Sequence, residues 1–143
     1  MSGIYIHIPF CKQQCHYCDF HFSTFLHTKT DFLEALLKEI AFQKDYLLGE
    51  SIQTIYFGGG TPSLLDKEAL KKVMDSIDRN FNITAKAEIT LEANPDDLTS
   101  LKVKDLKQTA INRLSIGVQS FQDADLQFMN RAHTAKEALD SVK

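Results

Sequence analysis

The chain has 143 residues, 43% of them apolar and 24% charged, proportions that suit one modest domain with a core of its own. Lys and Arg number 16 against 19 Asp and Glu, a net charge of −3, so no basic excess points to nucleic acid or to an anionic membrane surface. No apolar run approaches the roughly 20 residues that span a bilayer. The first residues interleave Tyr5 and His7 with isoleucines and lack a basic leader, so they do not read as a signal peptide, and a cytoplasmic protein is expected.

Residues 3–8 alternate Ile4, Ile6 and Ile8 with Tyr5 and His7, the period-two pattern of a strand, closed by Pro9. Residues 9–29 are irregular and carry every cysteine. A helix is predicted from about Asp31, with Leu33, Leu36, Leu37 and Ile40 at helical spacing, Asp31 and Glu34 as a capping box, and Gly49 as its end. Residues 53–57 read as a second strand stopped by Gly58, Gly59 and Gly60. A second helix opens near Asp66, with Leu70, Val73, Met74 and Ile77 on one stripe and Lys67, Glu68, Lys71 and Lys72 on a solvated face. A third strand over 86–91 ends at Asn94-Pro95, and a short helix covers about 100–109. The fourth strand is 113–118, and a helix follows from about Asp123. Thr134 and Glu137 form a capping box that opens one more helix.

Strands alternating with helices predict an α/β fold with a parallel sheet and right-handed crossovers. The unusual residues all follow strand ends: the cysteines after the first strand, the glycines after the second, Glu92 after the third, Gln119 after the fourth. In parallel α/β folds that edge is where ligands bind, because the loops there converge and are free to vary. The last helix reaches Lys143 without a Gly, Asn or Pro stop signal, so residues 1–143 are expected to be an incomplete piece of a longer protein.

The 3 cysteines form one tight set, Cys11, Cys15 and Cys18, spaced C-x-x-x-C-x-x-C. An odd, clustered set argues for a metal or cluster site rather than a disulfide framework. Three thiolates can hold three irons of a 4Fe–4S cubane and leave the fourth open to a chelating ligand. The competing reading is a zinc site completed by His16 or His21, although structural zinc ligands usually come as two separated pairs. His7, His16, His21 and His27 read otherwise as ordinary surface or core residues.

The triplet, with the aromatic Tyr17 before its last cysteine, resembles the signature of the radical-SAM superfamily. The stretches YIHIPFCKQQCHYCDF and YFGGGTPS resemble one branch of it, the oxygen-independent coproporphyrinogen III oxidases and their relatives, the HemW heme chaperones. The resemblance implies that the chain is the N-terminal part of a (β/α)6 radical-SAM core, a parallel (β/α) partial barrel. The remaining barrel and a C-terminal domain would then lie beyond it. It implies a 4Fe–4S cluster on Cys11, Cys15 and Cys18 whose open iron is chelated by S-adenosylmethionine (SAM). One electron then breaks the sulfonium C–S bond and releases a 5′-deoxyadenosyl radical.

Tyr5 and Tyr17 resemble family aromatics near the methionine and the adenine of SAM, and each also reads as ordinary packing. Gly59, Gly60 and Thr61 match the glycine loop, where a bare backbone can approach a charged ligand. Glu92, Gln119 and Arg131 match further family SAM contacts; without the resemblance, Glu92 reads as a solvated carboxylate and Arg131 as a surface helix residue. Oxidases of the branch extend the motif by a fourth cysteine, and here that position is Phe20. The departure fits the heme chaperones, which bind heme and pass it to acceptor proteins while retaining cluster and SAM. The alternative is the oxidase, which decarboxylates coproporphyrinogen III, and a radical-SAM enzyme on another substrate is a third reading. Either reading implies heme or a porphyrinogen as ligand and an electron donor such as flavodoxin or ferredoxin.

Overall fold

The structure is a computed structural model and describes residues 2–143. Its strands are β1 (Ser2–Ile8), β2 (Ser51–Gly59), β3 (Asn82–Ala93) and β4 (Arg113–Ile116), in the order β1-β2-β3-β4 and parallel throughout. Its helices are α1 (Lys29–Phe42), α2 (Lys67–Asn80), α3 (Ser100–Leu106), α4 (Asp123–Phe128) and α5 (Ala135–Ser141). This is the expected α/β partial barrel, with every strand C-terminus on one edge. Among the described residues no helix is long and apolar enough to cross a membrane.

The alternation in β1 sorts its side chains between two faces. Ile6 and Ile8 are buried against the helices, and Phe57 of β2 and Leu91 of β3, in register with Ile6, continue that face. Tyr5, Tyr56, Thr90 and Arg113 share one register line on the opposite, concave face. Ala69, Leu70, Val73, Met74 and Ile77 of α2 supply the core facing the sheet, as the stripe predicted. Leu33, Leu36 and Leu37 of α1 pack on the same core only partly buried, and Ile40 is the buried member.

Several boundaries differ from the sequence reading, each for a local reason. α1 starts at Lys29, so Asp31 lies in its first turn and the Asp31–Glu34 capping box does not form. The preceding residue, Thr28, turns its hydroxyl back to the Phe25 carbonyl (3.0 Å). Asp31 there still favours the positive end of the helix dipole. The helix stops at Phe42, and successive turns lead to Leu48 and Gly49, both with positive φ (49° and 77°). β2 and β3 are longer than the predicted stretches: buried Ile52 pairs with Ile83 ahead of them, across a register irregularity before Thr54, and the strands run on to Gly59 and Ala93. β4 is shorter: Val118 N–H folds back to the Ile116 carbonyl (3.0 Å) and Gln119 takes φ 64°. α3 ends at Leu106, and Thr109 caps the next turn by donating its hydroxyl to the Leu106 carbonyl (2.7 Å).

Asp66 accepts the Ala69 N–H at 2.7 Å as the N-cap of α2, and Thr134 with Glu137 closes a complete capping box on α5. In a full-length protein, Asp66→Ala should cost about 1 kcal/mol. Leu70→Ala, at a fully buried position, should cost about 2–5 kcal/mol. Urea unfolding followed by circular dichroism reads both, and equal losses would mean that α2 is not packed as described.

Candidate metal centre

The loop between β1 and α1 is anchored before it carries any chemistry. Phe10 is buried and bridges to Ser23, whose N–H reaches the Pro9 carbonyl (2.6 Å) while Cys11 N–H reaches the Ser23 carbonyl (3.0 Å). The Phe10 ring meets Phe32 of α1 edge-on, centroids 5.3 Å apart. Cys18 N–H donates to the Cys15 carbonyl (3.1 Å), a turn that brings the last two cysteines together. The connection from α4 to α5 clamps the far side. His16 Nδ1 donates to the Phe128 carbonyl (2.8 Å), Gln13 to the Asn130 carbonyl (2.7 Å), and Asn130 Nδ2 to the Gln14 carbonyl (2.6 Å).

The thiols of Cys11, Cys15 and Cys18, all partly exposed, line one cavity of about 370 Å³ at the sheet's C-terminal edge. Its walls bring together Tyr17, Gly59, Gly60, Thr61, Glu92, Gln119 and Arg131, every expected site residue except Tyr5. The volume lies within the range of small-molecule sites. Among the described residues no three His, Cys, Asp or Glu side chains converge as the ligands of one ion would. Of the histidines in the zinc reading, His16 turns Nδ1 to the Phe128 carbonyl (2.8 Å), while His21 is held through its backbone carbonyl, which accepts from His7 Nε2 (3.0 Å). A cubane takes one thiolate per iron, and three thiols lining one cavity fit three of its corners.

Glu92 is the penultimate residue of β3 rather than a loop residue, and both its oxygens are engaged. Oε1 accepts from the Tyr56 hydroxyl (2.7 Å) and Oε2 from the Gly59 N–H (3.2 Å), which ties the glycine loop to β3. The glycines serve this packing directly. A Cβ on Gly59, whose φ is 108°, would lie 2.6 Å from the His7 ring, and one on Gly60 would lie 2.6 Å from the Phe10 carbonyl oxygen. Arg131 sits in the α4–α5 connection, outside any helix. Nη1 donates towards Cys15 Sγ (3.3 Å) and the Tyr17 hydroxyl (3.2 Å), and Nη2 to Asn94 Oδ1 (2.7 Å) and the Gly117 carbonyl (2.9 Å). Its buried Nε has no hydrogen-bond partner among the described residues.

Tyr5 is not among the residues lining this cavity. It lies in the middle of β1, on the concave face, stacked on Tyr56 with centroids 6.1 Å apart and its hydroxyl 3.2 Å from His7 Nδ1. Sequence reasoning also passed over Asn94, read only as a strand end. Its side chain joins Arg131 to Thr61 (Nδ2 to Oγ1, 3.3 Å). An amide directly after Glu92-Ala93, at the same sheet edge as the cysteines, was the available signal. Phe20 lines the cavity while 66% exposed.

Burial pushes the Cys11 thiol above the ordinary thiol value; the Thr61 hydroxyl, 3.6 Å from its sulfur, acts against this, as does Arg131, while the other two thiolates add to it. Burial also raises the Tyr17 phenol, with Arg131 opposing. Partial burial pulls the Lys12 ammonium down, but Asp96 (2.6 Å) and Asp97 outweigh it and hold it above the usual lysine value. Hydrogen bonds onto sulfur and a nearby guanidinium favour thiolate, the form that binds iron.

A parallel α/β edge with three cysteines in one cavity has the make-up of an iron–sulfur site. The family model of the radical SAM superfamily matches residues 5–143, and the chain belongs to that superfamily, which implies a 4Fe–4S cluster and SAM. It is 42% identical over 146 residues to the heme chaperone HemW of Bacillus subtilis, covering 100% of this chain and 38% of that protein. To the heme chaperone HemW of Escherichia coli it is 39% identical, covering 99% and 38%. Among solved structures it resembles coproporphyrinogen III oxidase (HemN) from Escherichia coli, a radical SAM enzyme, with a TM-score of 0.88 and 30% identity over 98% of this chain and 33% of that one. The chain thus spans well under half the length of the relatives it matches.

In metal-free protein, alkylation of Cys11 by iodoacetamide should rise with pH through an inflection above the ordinary thiol value, because burial delays formation of the thiolate. Thr61→Val removes the hydroxyl bond that favours the thiolate and should move the inflection higher still. Peptide mass spectrometry across pH reads both, and an inflection below the ordinary value would contradict this electrostatic account.

Proposed function

We propose that the chain is the cluster- and SAM-binding part of a heme chaperone, a protein that binds heme and transfers it to acceptor proteins in the cytoplasm. The observation that carries this reading is the set of three thiols in one cavity with Phe20, not a fourth cysteine, at the next position of the motif. Relatives called heme chaperone HemW match along the whole of this chain.

Cys11, Cys15 and Cys18 would hold the cluster. When bound and reduced, the cluster supplies the electron that cleaves the C–S bond of SAM. The chain's own residues bind, orient and shield. The loop from Gly59 to Thr61 and the Glu92 carboxylate offer backbone and acidic groups to the polar end of SAM. Arg131 and Gln119 offer donors to a carboxylate or hydroxyl. Tyr17 lies beside the last cysteine for an adenine ring, and Tyr5 supports the concave wall one layer below. Flavodoxin or ferredoxin would donate the electron.

The second reading, an oxygen-independent coproporphyrinogen III oxidase, is supported by the likeness to HemN. One experiment separates them. Full-length protein is reconstituted anaerobically with iron and sulfide, then assayed in parallel for heme binding and for coproporphyrinogen III turnover. The expected result is a brown protein with iron and sulfide near four each per chain, whose colour is lost on changing any of the three cysteines to Ala. SAM should alter the EPR signal of the reduced cluster, and Gly60→Val should weaken that response by displacing the loop. Heme should bind without porphyrinogen decarboxylation. Protoporphyrinogen IX as product would establish the oxidase instead, and stoichiometric zinc without labile sulfide would exclude the cluster.

A further inference from the structure

Two of the three cysteines receive a side-chain hydrogen bond, and both donors trace to one residue. Thr61 Oγ1 is 3.6 Å from Cys11 Sγ, and Arg131 Nη1 is 3.3 Å from Cys15 Sγ. Asn94 touches both donors: its Oδ1 accepts from Arg131 Nη2 (2.7 Å) and its Nδ2 donates to Thr61 Oγ1 (3.3 Å). The amide orientation is not arbitrary. Arg131 has only donors, so the Asn94 carbonyl must face it and the NH2 must face Thr61. That NH2 occupies the acceptor side of the Thr61 hydroxyl and leaves its proton for Cys11. On the other arm, Asn94 and the Gly117 carbonyl hold Nη2, which leaves Nη1 turned to Cys15 and Tyr17. Thr61 is almost fully buried, so neither water nor another rotamer readily replaces this arrangement.

We propose that Asn94 is a positioning residue that aims both sulfur-directed donors and so raises the reduction potential of the iron–sulfur group. The proposal rests on the cluster reading given above. Hydrogen bonds to cysteine sulfur stabilise the reduced, more negatively charged state of a cluster, and such outer partners tune potential without being ligands. Asn94 is not needed to hold the loop: Lys12 ties it to Asp96 and Asp97, and backbone bonds at Pro9, Cys11 and Ser23 anchor its base.

The test uses full-length, anaerobically reconstituted protein and EPR-monitored redox titration, with iron and sulfide content measured on each sample. Asn94→Ala should keep the wild-type iron and sulfide content and move the midpoint to more negative potential. A tenfold weaker reduction equilibrium would appear as about 59 mV for one electron. Thr61→Val, which removes only the Cys11 donor, should shift the midpoint in the same direction by less. The double variant should go no further than Asn94→Ala alone, because Asn94 acts through Thr61 on that arm. An unchanged midpoint in Asn94→Ala, additive shifts in the double variant, or loss of the cluster on substituting Asn94 would each overturn the proposal. Wild-type protein that holds no cluster would instead overturn the reading it rests on.

Discussion

The site depends on two backbone hydrogen bonds that continue the pairing of β1 and β2 beyond the sheet. Gly60 N–H donates to the Ile8 carbonyl (2.8 Å) and Thr61 N–H to the Phe10 carbonyl (2.6 Å). They lay the glycine loop directly across the start of the cysteine loop, so thiols from one strand end face the backbone and hydroxyl of the next. The approach is so close that Gly60 has no room for a side chain: the nearest atoms are the carbonyl oxygens of Phe10 and Ile8, which cannot swing aside as a flexible side chain can. The glycine loop is thus a packing requirement before it is a ligand-binding device, and the two roles use the same bare backbone.

Charge is arranged around that contact so that each loop is tied to a neighbour. Lys12, one residue past Cys11, reaches Asp96 and Asp97 after β3, and Asp97 also accepts from Ser63 after β2 (2.6 Å). Both carboxylates are largely withdrawn from water. Desolvation offsets much of the attraction in a pair of this kind, so its contribution lies in geometry more than in net stability. Three successive strand ends become one rigid rim. Glu92 does the same on the concave side, where its carboxylate joins Tyr56 to Gly59. A pre-formed rim suits a site that must hold a cluster and a charged cofactor without rearranging first.

Phe20, two residues past Cys18, places an exposed aromatic ring in the wall of the cavity. The cluster cradle behind it is common property of the superfamily to which the chain belongs. An aromatic ring there offers stacking area to whatever occupies the cavity.

By itself the sequence determined the alternation of strands and helices, the α2 stripe, the Thr134–Glu137 cap and the thiol triplet. Each of these is local: period, cap and ligand spacing are written within a few residues of one another. The convergence of the cysteines, Gly59 to Thr61, Glu92 and Gln119 on one edge was also legible, because parallel pairing sends every strand's C-terminus the same way. Only the tertiary structure decided that Arg131 leaves the helical pattern to reach Cys15, that Asn94 links two donors, and that Tyr5 faces Tyr56 a layer below the thiols. It also decided the true ends of α1 and β4, since a Thr28 hydroxyl turned backwards and the turn at Gln119 leave no hydrophobic trace. The physical reason is the same in every case: these contacts join residues far apart in the chain, and their strength depends on distance and direction, which side-chain chemistry alone does not specify.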